Sequence, residues 1–431
     1  MGIFSVMVWG GIWGESLFWV GLMSGLVSMS SSDSLSWKVG LIGELDYMSW
    51  SLSLLSFWVV FLAVLGSKSI KKLSSLCNVF VSLAMSLLGM FLISFYIADF
   101  MFFYLGFETC LIPIFFMVLG WGYQPERAQA GIYMLFYTLF GSLPLFFLIM
   151  SLYSKSSGYM HMVNSVSESF FYIFLVGAFL VKFPMYSVHL WLLKAHVEAP
   201  VAGSMILAGV MLKLGGYGLI RFLPICPIKP VLLMEFIIGL SVWGGVMLSL
   251  SCLRQMDMKL LIASSSIVHM SLCIVGLLVL SEWGFKGAMV IMVGHGVCSS
   301  GLFYLANVVY ERSHSRSMAV SKGFLTLMPS MCLWWFVMLG VNMASPPSLN
   351  LLGEILLIST LVSWSVYMVM VISLMSFFSA GYSLYLFSLS QHGVYLNSKS
   401  GFHTGGVLEY LICASHWAPL NIIILCVAWL V

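Results

Sequence analysis

The sequence predicts an all-α polytopic membrane protein with about 13–14 transmembrane helices, on three observations. Hydrophobic residues make up 61% of the chain and charged residues 8%, against about 25% charged in a soluble globular protein, and the mean hydropathy is +1.05. Apolar runs of about 20 residues, the length that crosses a bilayer, recur throughout and are separated by short polar breaks. Runs such as 170–181 lack the two-residue alternation of a barrel strand. Backbone in lipid must satisfy its own hydrogen bonds, as helices or as a closed barrel. The lack of alternation leaves the helices.

The runs place spans near 3–29, 46–66, 73–95, 99–120, 128–152, 168–190, 200–222, 231–252, 259–281, 285–310, 323–345, 348–368, 369–390 and 405–430. The first lacks a basic leader and is too long for a signal-peptide core, so it reads as a span with Glu15 inside it. Loops are short, with no soluble domain or linker. Loops after even-numbered spans hold Lys68, Lys71, Lys72, Arg127, Lys194, Arg254, Lys259, Arg312, Arg316 and Lys322. Those after odd-numbered spans hold only Lys38, Lys155, Arg221, Lys229 and Lys286. This bias puts the even loops and the N-terminus on the positive-inside face. The net charge of +3 and the lack of any basic run beyond Lys71-Lys72 give no support to nucleic-acid binding. The nine cysteines form no Cys-x-x-Cys pair, so zinc, iron–sulfur and disulfide frameworks lack support and buried thiols are the plain reading.

Two places break helical regularity within apolar sequence: Val181-Lys-Phe-Pro184 and Ala344-Ser-Pro-Pro347, the latter seven residues ahead of Glu354. Proline removes a backbone donor and crowds the preceding turn. Interrupted helices at matching places in two halves of a bundle point to inverted repeats around a mid-membrane site, and each break here comes with an ionisable residue.

Four charges lie deep in apolar sequence: Glu108, Lys182, Lys213 and Glu354. A charge at mid-bilayer costs a few kcal/mol on insertion scales, so these positions are the first candidates for function. Burial disfavours a charged lysine and a nearby carboxylate restores it, so Lys182 opposite Glu108 can take and release a proton; an ion pair that only fixes packing is the alternative. Lys213 sits in Leu212-Lys-Leu-Gly-Gly-Tyr-Gly218, as a relay or as a lysine snorkelling to an interface. His269 and His295 fall in adjacent spans near Ser264, Ser265, Ser266, Ser299 and Ser300, either lining a hydrated path or as hydrogen-bonded core histidines. Lys259 stands where that path would meet the aqueous face. Glu354 reads as a terminal relay group or as a cap on the helix after the proline pair. His189 and His196, seven residues apart, with Glu198 could suggest a metal site, but nothing else converges there to complete the usual zinc ligand set, so zinc lacks support.

These motifs have a family resemblance. Leu105-Gly-Phe-Glu108, Trp121-Gly-Tyr-Gln-Pro-Glu-Arg127, Val181-Lys-Phe-Pro184, His189-Leu-Trp-Leu-Leu-Lys-Ala-His196 with Val197-Glu-Ala-Pro200, Leu212-Lys-Leu-Gly-Gly-Tyr-Gly218, Cys252-Leu-Arg-Gln-Met-Asp-Met-Lys259, Gly294-His-Gly296, Tyr310-Glu-Arg-Ser-His-Ser-Arg316 and Pro346-Pro-Ser-Leu-Asn-Leu-Leu-Gly-Glu354 follow in order over about residues 99–356. The set resembles the antiporter-like proton-pumping subunits of mitochondrial NADH:ubiquinone oxidoreductase, complex I, and among them the subunit-4 family. The resemblance implies antiporter-like inverted repeats, with N-terminal helices in 1–98, a first half in 99–222, a second in 223–390, and a C-terminal loop and helix in 391–431. It implies a proton relay through Glu108, Lys182, Lys213, His269, His295 and Glu354, with Lys259 beside it. It also implies a mitochondrially encoded, multi-pass chain of the inner mitochondrial membrane. The expected partners are antiporter-like subunits 2 and 5, supernumerary subunits and lipids such as cardiolipin. FMN, iron–sulfur clusters and ubiquinone are expected in other subunits, and no redox chemistry in this chain. Leu193 stands where the family often has proline, Ser264 where it has tyrosine and Val268 where it has serine. A stand-alone cation/proton antiporter of related fold, and a structural subunit whose charges only hold helices together, are the competing readings.

Overall fold

The computed structural model describes residues 13–29, 37–39, 43–73, 76–153, 169–225, 231–394 and 404–429. The expected first span falls partly outside these residues; its described part is α1, Trp13–Met29. Two three-residue strands, Trp37–Val39 and Gly43–Leu45, pair antiparallel before the next helix. Ten described helices are long and apolar enough to cross a membrane. The shorter apolar helices Tyr172–Lys182, Pro329–Asn342 and Leu349–Trp364, together with α1, complete the succession the apolar runs predict. The chain is an all-α polytopic membrane protein.

The chain divides into two compact units, one running to Pro184 and continuing through Leu190–Phe236, the other holding Met185–His189 and Ile237–Trp429. The first holds α2 (Tyr47–Gly66), α3 (Lys68–Leu73), α4 (Cys77–Tyr96), α5 (Phe100–Thr109), α6 (Leu111–Trp121), α7 (Arg127–Tyr153), α8 (Ser169–Lys182), α9 (Leu190–Glu198), α10 (Val201–Ile206) and α11 (Leu212–Phe222). Asp99 caps α5 by accepting from the Met101 amide at 3.0 Å, the usual satisfaction of an otherwise open helix N-terminus. Every residue of 201–220 is buried. A helix apolar all round belongs inside its bundle, and this one carries Lys213.

The second unit holds α12 (Val231–Cys252) from Ile237 onward, α13 (Met258–Val279), α14 (Glu282–Ser313), α15 (Phe324–Leu327), α16 (Pro329–Asn342), α17 (Leu349–Trp364), α18 (Met368–Gln391) and α19 (Val407–Ile422). Its centre is α14, which packs against α13, α16, α17 and α19. The 32-residue α14 is buried almost end to end, whereas α18 and α19 leave Phe377, Leu384 and Leu411 exposed.

Candidate functional site

In the first unit, α8 stops at Lys182 because Pro184 cannot continue it. The loose end is held twice. The Trp191 indole N–H donates to the Val181 carbonyl at 3.0 Å, and the Phe183 amide donates to the Phe179 carbonyl at 2.7 Å. Gly215 of α11 packs onto this end, where a Cβ would lie 2.8 Å from the Phe183 nitrogen. The glycines after Lys213 therefore serve close approach to the broken helix. The Lys182 ammonium lies 4.0 Å from Glu108 Oε1, with the lysine 1% and the glutamate 15% exposed. It donates to the Phe107 carbonyl and sits 3.1 Å from the centroid of the Phe107 ring, a cation–π contact that strengthens when desolvated. Phe103 and Phe179 close around that ring. Among the described residues neither Glu108 oxygen has a hydrogen-bond partner, so the lysine is the carboxylate's compensating charge.

Lys213 is fully buried. One turn ahead of it, Leu207–Met211 forms a π turn, a distortion that often marks functional positions in helices. The Lys213 ammonium donates back to the Ala208 carbonyl in that turn. No proline or polar run in the sequence announces the turn. Toward the other end of α11, the Arg221 Nε–H donates to the Tyr217 hydroxyl at 3.0 Å, Arg221 pairs with Asp46 at 2.5 Å, and Tyr217 donates to the Phe95 carbonyl at 3.0 Å. Sequence reasoning missed this cluster. Its signal is the i, i+4, i+8 spacing of Lys213, Tyr217 and Arg221, which puts them on one helix face.

In the second unit the structure brings His269 and Glu354 together, 85 residues apart in sequence, with Nδ1 3.4 Å from Oε1. The His269 Nε2 lies 3.4 Å from the Tyr382 hydroxyl, and the His295 ring centroid is 5.6 Å away. Tyr382 is fully buried and is not among the residues the sequence points to. Its Gly-Tyr-Ser context on α18 carries no signal beyond an aromatic within an apolar run. A small, partly open cleft is lined by His269, Glu354, Val268, Met375, Ser376 and Ser379 among others. Val268, one of the departures from the family pattern, forms part of its apolar wall.

Of the serines expected near the path, Ser265, Ser266 and Ser300 donate to carbonyls of their own helices three residues back. Ser264 bonds its own helix and the Cys252 thiol at 3.1 Å. Lys259 is buried at the start of α13, 5.9 Å from the Tyr310 ring centroid. His189 bonds the Tyr186 carbonyl, and His196 and Glu198 are buried on α9. Among the described residues no three His, Cys, Asp or Glu side chains are grouped as a metal site would need.

A bundle of apolar helices, with ionisable side chains buried in both units and beside two helix breaks, defines a polytopic membrane protein of antiporter-like class. The family model for the NADH:quinone oxidoreductase/Mrp antiporter transmembrane region matches residues 97–379. The chain is 49% identical to the NADH-ubiquinone oxidoreductase chain 4 of Ceratitis capitata, over 89% of this chain and 88% of that one. It is 46% identical to that of Locusta migratoria, over 94% and 90%. The chain belongs to the NADH-ubiquinone oxidoreductase chain 4 family. Among solved structures, a chain of respiratory complex I from Thermus thermophilus with bound NADH shares the fold at TM-score 0.88 and 21% identity, covering 98% of this chain and 95% of that one. A chain of the membrane-bound sulfane sulfur reductase, an archaeal respiratory membrane complex, does so at TM-score 0.86 and 17% identity, covering 99% and 93%.

Proposed function

We propose that this chain is a proton-translocating membrane-arm subunit of respiratory complex I in the inner mitochondrial membrane. Subunits 2 and 5 of the same arm are its neighbours, supernumerary subunits and cardiolipin contact its surface, and the chain is mitochondrially encoded. Proton movement here is coupled to electron transfer from NADH to ubiquinone through FMN and iron–sulfur clusters in other subunits. The observation that supports this most is the burial of Lys182 against Glu108 in one unit and of His269 against Glu354 in the other, in a chain of this family.

Each group has a role its chemistry allows. Lys182 alternates between Glu108 and the Phe107 carbonyl as its charge changes. Lys213 holds a proton beside the π turn. His269 and His295 pass protons toward Glu354, and Lys259 supplies them from the end of α13. In the assembled complex, Glu108→Gln or Lys213→Leu lowers both coupled quinone reduction and proton pumping by about a hundredfold, the low end for a positioned proton carrier. An unchanged proton-to-electron ratio and rate in both variants sinks the relay.

A further inference from the structure

Unit two holds a buried titratable side chain that the relay above does not use. His416, on α19, is fully buried. Its Nδ1 lies 2.8 Å from the Ile412 carbonyl, which can only accept, so Nδ1 carries the hydrogen and Nε2 is left as a bare acceptor. Nε2 has no partner among the described residues.

The surroundings of His416 form a seam between α14 and α19. Glu409, Cys413 and His416 follow at i, i+4 and i+7 on one face of α19. Glu409 meets Arg312 of α14 at 2.7 Å. Tyr304 of α14 is buried and lies near Glu409, Cys413, Glu311 and Arg312. Further along α14, Gly301 opens room for the imidazole, since a Cβ there would lie 3.2 Å from His416 Cβ and crowd the Met338 methyl. One turn on, the Cys298 thiol donates to the Met338 carbonyl at 3.6 Å. At Gly294 a Cβ would collide with Asn350 Oδ1.

Asn350 lies in the first turn of α17, just after the second helix break. Its amide donates to the Val341 carbonyl at 3.1 Å, while its Oδ1 and the neighbouring Ser348 hydroxyl are buried without partners among the described residues. Glu354 follows Asn350 by one helical turn. Gly294, Cys298, Gly301 and Arg312 share one side of α14, and the 18 residues from Gly294 to Arg312 rise about 27 Å at 1.5 Å each, close to the roughly 30 Å of a hydrocarbon core. His295, which faces His269, is turned about 100° from that side of the helix, at 3.6 residues per turn.

We propose that the α14–α19 seam is a second proton lane of this unit, running from the Arg312–Glu409 pair to the helix break ahead of Glu354, with His416 as its proton carrier. Buried polar atoms are rarely left unsatisfied, and water is their usual partner where protein supplies none. The His416 Nε2, Asn350 Oδ1 and Ser348 Oγ are the acceptors that such waters bridge. In each transfer Nε2 takes the excess proton from a protonated lane water, leaving neutral water and the imidazolium, Nδ1 keeps its hydrogen on Ile412, and Nε2 returns the proton to a neutral water on the break side, which carries it on as a protonated water. Only N–H and O–H bonds form and break. The titratable groups along the seam are Glu409 and Cys413 on the helix of His416, and Arg312, Glu311, Tyr304 and Cys298 on α14.

The proposal rests on the relay reading, and the test separates the two. His416→Gln keeps a polar side chain that cannot shuttle a proton, and Lys213→Leu is the reference. Both are measured in assembled complex reconstituted in proteoliposomes, as NADH:quinone turnover, protons pumped per electron, and solvent deuterium isotope effect. The lane predicts that His416→Gln lowers turnover about tenfold, less than the hundredfold of an essential carrier because Glu354 keeps its contact with His269, and raises the isotope effect. His416→Gln at wild-type rate and isotope effect, with Lys213→Leu impaired, overturns the lane and leaves the relay standing. Wild-type behaviour in both variants overturns the relay and the lane with it. A density map of the wild-type complex tests the lane without a variant: water within hydrogen-bond distance of Nε2 supports it, and a dry apolar contact there overturns it.

Discussion

Lys182 rests on the face of Phe107, 4.0 Å from Glu108 and walled by Phe103 and Phe179, whereas His269 stands between Glu354 and Tyr382 at 3.4 Å from each, beside a cavity that also takes in Ser376 and Ser379. The lysine ammonium carries its three N–H donors on one nitrogen at the end of a flexible stem, so swinging that stem is how it changes partner. The imidazole has two distinct nitrogens, aimed at two different groups, and can relay between them with the ring in place. The first unit is thus built for a swing in an aromatic enclosure and the second for a bridge beside a largely apolar cleft that holds Ser376 and Ser379.

The sharpest way to break this comparison is to remove one partner of the buried pair. Lys182→Leu leaves Glu108 uncompensated and costs about 3–5 kcal/mol, read as a lower thermal-inactivation temperature of the assembled complex together with lost pumping. Adding Glu108→Leu restores the stability and not the pumping, because apolar replacements of a buried pair are close to neutral. If the double variant is as unstable as the single one, the pair is not the reason for the loss.

Next comes the bridge. His269→Gln keeps hydrogen-bonding capacity and removes the second proton site, so coupled turnover falls about a hundredfold. The complex loses little stability, because the glutamine amide can still donate to the Glu354 carboxylate that His269 meets and no buried partner is left unsatisfied. A large loss of thermal stability with turnover intact would show that His269 is a packing residue.

The smallest effect tests the anchor of the first helix break. Trp191→Phe removes the indole hydrogen bond to Val181 at about 1 kcal/mol, with the apolar ring retained. Turnover falls if that anchor positions Lys182 against Glu108; a stability loss alone would make Trp191 a strut.

Much of this was legible in the chain because lipid leaves a segment few choices. Apolar run length marked the spans, and proline marked the stops after Lys182 and ahead of Leu349. Charges in apolar sequence marked Glu108, Lys182, Lys213 and Glu354. The serines around His269 misled in part, because a hydroxyl in a helix bonds its own carbonyl three or four residues back, as Ser265 and Ser266 do. Tyr382 went unnoticed because an aromatic in a span looks the same whether it faces lipid or an imidazole.

By itself, then, the sequence determined the class of fold, the places where helices break and which residues carry intramembrane charge. Each of these follows from local rules: hydropathy over one span, the missing N–H of proline, and the cost of a charge in hydrocarbon. Only the tertiary structure decided that His269 meets Glu354, that Phe107 holds Lys182, that a π turn precedes Lys213, and that His416 is buried beside Gly301. Apart from the π turn, those contacts join residues many turns apart, and the rotation of each helix about its axis, which sets them, is fixed by side-chain packing that no single segment encodes.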